Sequence, residues 1–452
     1  MLGLIMVDRL GPNGIAVVGT SMHTRGEVTP SVRIWVVKIG EPLPIEECHS
    51  RPFRTGLLSK VLSERGHEVT WWTSSFFHQE KRQLFLHDTM VRMTPHFNVM
   101  ALYSPGYTSN ISLSRVSDHR TVARKFRELA GKAEHRPDLI VCAFPTIQLT
   151  CAAVSFGRLM GIPIVVDVRD LWPDVFLHVL PEKLRWLGAI PARAIRGKVG
   201  HALRMATALT AMSNGCLAWG LRHAGRNRTS WDAVFPLGYP DISVDDKSLA
   251  DASALMRSKG VDTSKTICWF LGMFGKHYDI PTVIRVASEL RSRQCSSVQF
   301  VLSGDGPEIG KWQSMASGLG NVIFTGRIGP AEISYMSKVS AIALLAGDSV
   351  PESLPNKLFE YLAAGLPILS SLSGETEAFI EDAGCGFCYS PKDTAGLLAA
   401  LEPLISNPEL RHTMGIRSRR VFETGYSADI VYGKMASHLE RIVSEYRRGQ
   451  QG

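Results

Sequence analysis

Between residues 352 and 360 the chain reads ESLPNKLFE, two carboxylates (Glu352 and Glu360) bracketing a serine, a proline, an asparagine and a lysine. Those types at that spacing can handle a nucleoside diphosphate. A helix N-terminus presents free N–H groups and partial positive charge, so it suits phosphate. Lys357 supplies the cation a diphosphate wants. Glu360, one or two turns further on, could accept hydrogen bonds from both hydroxyls of a ribose. Glu352, in the loop ahead, could reach a bound group. The bland alternative is a capping acid and a surface ion pair between Lys357 and Glu360.

The spacing predicts a short helix over Leu354–Ala364. Ser353 fits its N-cap and Pro355 its first turn. Gly365 fits the position just past its end, with Pro367 beyond it. Leu354, Leu358 and Leu362 would face inward, leaving Asn356, Lys357 and Glu360 on another flank. Two further strand-end turns carry similar chemistry. One is LGMFGKH, with Gly272, Gly275 and Lys276; the other is LSGDGPE, with Gly304, Asp305 and Gly306. A lone Gly-Asp-Gly is ordinary turn chemistry. Three such turns on successive strands of one α/β unit favour a nucleotide site, because ligands gather at the carboxyl ends of parallel strands.

The elements that must position these residues alternate. VRIWVVKIG, EVTWWTS, RPDLIVCAFP, GIPIVVDVRD and ATALTAMS read as strands with helical stretches between them. A second series runs through TICWFLGMFG, VQFVLSGDGPE, NVIFTGRI, SAIALLAG and LPILSS. Alternation of this kind implies α/β architecture, two doubly wound parallel-sheet domains of Rossmann type. AVFPLGYPDI (233–242) breaks the rhythm and reads as the linker. The expected organisation is a loose extension over 1–30, a domain over 31–236, a second over 237–425, and a helix over 426–452. In the first domain, Gly40 and Glu41 follow the first strand, and Asp170 follows another. A carboxylate there could take a proton from a hydroxyl, or merely cap the next helix. Arg51 and Arg54 could meet a phosphate, or sit on a solvated helix face.

The 452 residues carry a formal net charge of +8 and are 45% hydrophobic, a balance that excludes a disordered chain. The sequence has no run of about 20 apolar residues that would span a bilayer. Scattered cysteines favour a reducing compartment. Cys385 and Cys388 have C-x-x-C spacing, but they lack a second pair and sit among glycines. Basic residues and Trp186, Leu187, Ile190 and Ile195 interleave over 181–208, a pattern suited to an anionic membrane surface. Nucleic acid is not an expected partner, since no recognised binding motif is present.

E-x7-E followed by YLAAGLPI resembles the donor-site signature of retaining GT-B glycosyltransferases, specifically glycosyltransferase family 4. GEPLP, RPFRTGLLSKVLSERGHEVTWWTSSFFH and VDVRDLWPD resemble a subgroup that builds bacterial O-antigen, capsule or colanic-acid-like polysaccharides. The resemblance implies two Rossmann-like domains facing a cleft. The C-terminal domain would hold a UDP- or GDP-linked sugar and the N-terminal one an acceptor, expected to be a saccharide linked to polyprenyl diphosphate. It implies that Glu360 holds the ribose and Glu352 lies near the donor sugar. Lys276 would meet the diphosphate beside Asn356 and Lys357. The last helix would cross back onto the first domain. One position departs: where such enzymes often carry arginine after the first glycine, this chain has Met273. With no D-x-D at a strand end, no metal and no other cofactor is expected. The expected setting is cytoplasmic, at the inner face of the membrane. A nucleotide-sugar epimerase and a non-catalytic nucleotide-binding partner are the competing readings.

Overall fold

The computed structural model of the chain describes residues 31–45, 52–174, 185–241, 244–347 and 354–451. In chain order the first half contains β1 (Arg33–Val37), α1 (Arg54–Glu64), β2 (Glu68–Ser74), a small ribbon of β3 (Phe76–Phe77) and β4 (Arg82–Gln83), β5 (Thr89–Thr94) and β6 (Phe97–Leu102). Then follow α2 (Leu113–Gly131), β7 (Leu139–Phe144), α3 (Ile147–Met160), β8 (Ile164–Val168), α4 (Arg185–Met205), β9 (Ala208–Ala211), α5 (Asn214–Ala224) and β10 (Ala233–Val234). The second half begins with α6 (Asp246–Ser258), β11 (Thr266–Leu271), α7 (Ile280–Ser292), β12 (Val298–Ser303), α8 (Ile309–Met315), β13 (Val322–Gly326) and α9 (Pro330–Val339). It continues with β14 (Ile342–Leu345), α10 (Asn356–Ala363), β15 (Ile368–Ser370), α11 (Glu375–Ala383), β16 (Gly386–Cys388), α12 (Thr394–Ser406) and α13 (Pro408–Val421). A π-helical turn (Phe422–Tyr426) leads into α14 (Ala428–Gln451).

Two sheets result. The second has strand order β13-β12-β11-β14-β15-β16, and every pairing in it is parallel. The first runs β10-β9-β8-β7-β1-β2-β6-β5, parallel except for β5 against β6. Central strands such as β7 are buried along their whole length, which explains their unbroken apolar runs. The antiparallel edge β5 alternates between half-buried and exposed residues, as a strand with one wet face must. Each sheet reverses its winding once, between β1 and β7 in the first and between β11 and β14 in the second. Ligands of doubly wound sheets bind in the crevice outside the strand carboxyl ends at that reversal.

The carboxyl ends of the two sheets face one another. The N-termini of α1 and α10 line one cleft, through Pro52, Phe53 and Arg54 on one side and Asn356 and Phe359 on the other. The Asn214 N–H at the start of α5 donates to Glu375 in the first turn of α11 (3.2 Å). Helix α14 packs on the first sheet rather than the second. Its Tyr432, Met435, Leu439 and Ile442 share one buried core with Leu58 and Leu62 of α1 and with Val69 and Trp71 of β2. Glu440 fixes the contact by accepting from Arg65 Nη1 (3.1 Å), with His67 Nε2 at 2.9 Å.

Candidate active site

The helix carrying the E-x7-E lysine begins later than its spacing predicts. Pro355 occupies the cap in an extended conformation and Asn356 is the first helical residue. Proline disfavours helical backbone in the residue before it, so Leu354 cannot open the helix. The stop falls where expected: Gly365 adopts φ 64°, its N–H donating to the Leu362 carbonyl and that of Leu366 to Tyr361. Glu352 and Ser353 lie outside the described residues. Tyr361 pins α10 across the reversal point. Its hydroxyl accepts the Leu271 N–H at the end of β11 (2.9 Å) and donates to the Leu344 carbonyl of β14 (3.3 Å).

That pin delivers Lys357 onto the reversal point. Its Nζ lies 4.1 Å from the Phe270 ring centroid and 3.8 Å from that of Tyr278. It is buried and has no hydrogen-bond partner among the described residues. Burial lowers its pKa to about 7, although the nearby Glu360 charge pulls it back up. A Cβ on Gly272 would come within 2.1 Å of this Nζ, so a side chain there would push the ammonium from its place. The surface ion pair of the bland alternative is therefore excluded. Glu360 is also buried, and its Oε1 accepts from the Tyr239 hydroxyl (2.7 Å). The carboxylate borders a cavity of about 480 Å³ between α9 and the end of α10.

The other two turns form a shelf beside Lys357. The Gly272 N–H donates to Ser303, Phe274 to Asp305 and Gly304 to Gly326, at 2.8–2.9 Å, knitting three strand ends together. A Cβ on Gly304 would meet the Gly272 carbonyl oxygen at 1.7 Å, and one on Gly306 the Phe274 carbonyl oxygen at 2.5 Å. These glycines thus permit turn-to-turn packing, a different reason from close approach to a ligand. Asp305 is exposed and accepts the N–H of Gly306 (2.7 Å). Gly275 closes a tight turn by accepting the Tyr278 N–H. Lys276, Met273 and Asn356 are exposed on the rim. Gly304→Ala must open this shelf. It is expected to cost about 3 kcal/mol, the upper end for overpacked sites, and to weaken nucleotide binding; denaturant midpoints and ligand titration check both.

At the first sheet's reversal lies a cavity of about 240 Å³. Lys38 and Gly40 after β1, Thr146 after β7, and Asp170 line it, together with Arg115 and His119 of α2. Gly40 makes its turn at φ 80°. Asp170 accepts the Leu171 N–H (2.8 Å), and burial raises its pKa, a direction that suits a proton acceptor working near neutrality. Burial lowers His78 to about 4 and His119 to about 3, so both are neutral at pH 7. His78 Nδ1 sits 2.7 Å from the Tyr107 hydroxyl. Sequence reasoning missed Lys38, His78, Tyr107, Arg115 and His119. Only Arg115 and His119, one turn apart at the mouth of a helix, left a local signal.

Two expected acceptor residues are corrected. Arg54 does not stand free at the cleft: its side chain is only 2% exposed and donates to both oxygens of Asp167 (2.8 and 3.0 Å) and to the Phe235 and Pro236 carbonyls (both 2.8 Å). A fully buried acid in β8 requires such a partner. Glu41 is buried too. It caps α1 by accepting the Thr55 N–H (2.9 Å) and hydroxyl (2.8 Å), and it pairs with Arg169. Arg51 lies outside the described residues. Burial pushes the Cys385 and Cys388 thiols up to about 11 and about 12, the reverse of what a reactive thiolate needs.

Residues 251–421 match the family model for glycosyl transferases group 1. The chain is 26% identical over 297 residues to an alpha-D-kanosaminyltransferase of Streptomyces kanamyceticus, covering 63% of this chain and 72% of that one. It is 28% identical over 164 residues to the O-antigen chain mannosyltransferase C of Escherichia coli, covering 35% and 42%. Among solved structures, a sucrose-phosphate synthase from Thermosynechococcus elongatus superposes with a TM-score of 0.69 at 16% identity, over 92% of this chain and 100% of that one. Anabaena HepE in complex with UDP-glucose superposes with a TM-score of 0.59 at 14% identity, over 91% and 100%. The fold is therefore GT-B, two Rossmann-like domains whose sheets present their carboxyl ends to a shared cleft.

Proposed function

We propose that this glycosyltransferase is a retaining enzyme of bacterial surface polysaccharide synthesis. It moves a sugar from a UDP- or GDP-linked donor to a polyprenyl-diphosphate-linked saccharide at the inner membrane face. One observation carries the donor half of the reading: Lys357 is a buried ammonium with no hydrogen-bond partner among the described residues, held at the strand reversal beside the N-terminus of α10. A buried cation is costly until an anion pairs with it. The group that fits is a diphosphate, which takes both the lysine and the free N–H groups of the helix. The group 1 match covers this same half of the chain. HepE, similar in fold, is described in complex with UDP-glucose.

In this reading the leaving nucleoside diphosphate gathers negative charge as the sugar becomes oxocarbenium-like. Lys357, the helix dipole and the exposed Lys276 stabilise that charge, the kind of term that usually dominates such steps. Glu360 receives the ribose, and the sequence resemblance assigns Glu352 to the donor sugar. Across the cleft, Asp170 takes the proton of the acceptor hydroxyl. No step in this scheme calls for a metal. The acceptor class and the surface-polysaccharide role rest on the sequence resemblance and on the O-antigen mannosyltransferase among the relatives.

Thermal-shift titration with UDP, GDP, ADP and TDP tests the donor half, because a ligand at 100 times its Kd adds about 2.7 kcal/mol to the folded state. UDP or GDP should raise the melting temperature in excess EDTA, and turnover should persist there. Complete loss of turnover in EDTA, restored by manganese, would refute metal independence. Conversion of a UDP-sugar without any acceptor would favour an epimerase instead.

A further inference from the structure

The cavity at the first sheet's reversal does not end at its polar wall. Arg115, His119, Pro145 and Trp172 also line a second cavity of about 440 Å³. Its remaining walls are mainly apolar: Ile111, Leu113 and Val116 at the start of α2, Ile147 of α3, Pro173, and Ile195 of α4. Leu113 is 89% exposed and Ile111 74%, far more than their types would choose without an occupant. Where the cavities meet stands Arg115, stacked over Trp172 and Tyr107 at 5.1 and 5.6 Å. Its Nη1 donates to the Asn110 carbonyl (2.7 Å), but its Nε is buried with no hydrogen-bond partner among the described residues. Lys38 adds a second basic group to the polar cavity.

An apolar groove running into a recess with a guanidinium at the junction fits one kind of molecule, an amphiphile with a hydrocarbon tail and an anionic head. We infer that the groove holds the first isoprene units of the acceptor's lipid, with its diphosphate against Arg115 and Lys38. This deepens the reading above and rests on its lipid-linked acceptor. Asp170 lines the recess at the head-group end, so a sugar carried on that diphosphate enters beside the proposed proton acceptor. A recess of this volume favours a single bound chain over a flat patch pressed on a bilayer. Exposed Arg193 and Lys198 of α4 flank Ile195 and suit the anionic surface from which such a lipid is drawn.

The test compares farnesyl diphosphate with isopentenyl diphosphate by calorimetry, in saturating UDP so that Lys357 is not the diphosphate sink. Farnesyl diphosphate is expected to bind at least ten-fold tighter. The double variant Ile111→Gln/Leu113→Gln should erase that preference and leave isopentenyl diphosphate binding in place. Both side chains are exposed, so the variant should fold, and its UDP-induced thermal shift checks that it does. Arg115→Ala should weaken both ligands. Binding that ignores chain length would overturn the inference, as would a preference that survives the double variant. If the variant loses only its adhesion to phosphatidylglycerol vesicles, these side chains meet the bulk bilayer and the groove reading is wrong. Absence of any UDP shift in the parent would instead sink the donor site and leave the chain-length comparison standing.

Discussion

Replacing Lys357 by methionine is expected to make the ligand-free protein more stable and the enzyme nearly inactive. The ammonium is buried with no hydrogen-bond partner among the described residues, and burial lowers its pKa to about 7, well below the ordinary lysine value. Between those two values the unfolded chain holds a proton that the folded one does not. The lysine therefore costs stability, fully at pH 7 and below, and the cost fades as pH rises toward the ordinary lysine range. Methionine fills the same space without a charge. A gain of roughly 2–4 kcal/mol at pH 7 is expected from a shift of this size. Each kcal/mol corresponds to about 2–4 °C in domains of 150–250 residues. The same change removes the cation proposed to meet the leaving diphosphate, and a loss of about 10²–10³ in turnover is expected. Melting curves at pH 6 and pH 10, with and without UDP, read the linkage: the stability gain should shrink at the higher pH, and so should the loss of UDP binding, because the parent amine is then neutral.

Arg54→Met is expected to act the opposite way, destabilising the fold by about 3 kcal/mol, the low end for breaking a buried pair, because Arg169 still holds Asp167. Asp167 is wholly buried in β8. Burial pushes its pKa up, but Arg54 and Arg169 outweigh that and hold the carboxyl below the ordinary range. A depressed carboxylate adds stability above its unfolded pKa and loses it as pH falls toward the folded one. The variant should therefore lose stability at pH 7 and show a shallower decline in acid. Arg54 also holds the Phe235 and Pro236 carbonyls and contacts Met435 Sδ (3.6 Å), so the linker and α14 should loosen with it. Arg54→Met/Asp167→Leu should recover only part of the loss, because removing the carboxylate also takes the acceptor from Arg169 Nε and the Thr210 hydroxyl. Urea midpoints of the parent, single and double variants read this directly.

The two arginine and lysine predictions also mark how far sequence reasoning reached. Strands such as LIVCAF were legible because a strand buried on both faces is an unbroken apolar run. Lys357 was legible because one short helix, punctuated by Pro355 and Gly365, places it. Arg54 was misread because a cation in a helix's first turn looks the same on a wet face as on a buried one. The available signal lay elsewhere in the chain: Asp167 inside an otherwise apolar strand had to find a partner. The first cavity was nearly invisible, since Lys38, His78, Tyr107, Arg115 and Asp170 come from separate segments that only the topology assembles. The β5–β6 edge was missed because its strands follow a compact ribbon and not a helix.

Diffraction from crystals soaked with UDP or GDP tests the central claim most directly. The expected density is a diphosphate within hydrogen-bond distance of Lys357 Nζ, over Gly272 and the first turn of α10, with the ribose toward Glu360. A nucleotide bound with its diphosphate at any other strand end, and Lys357 still without a partner, would contradict it.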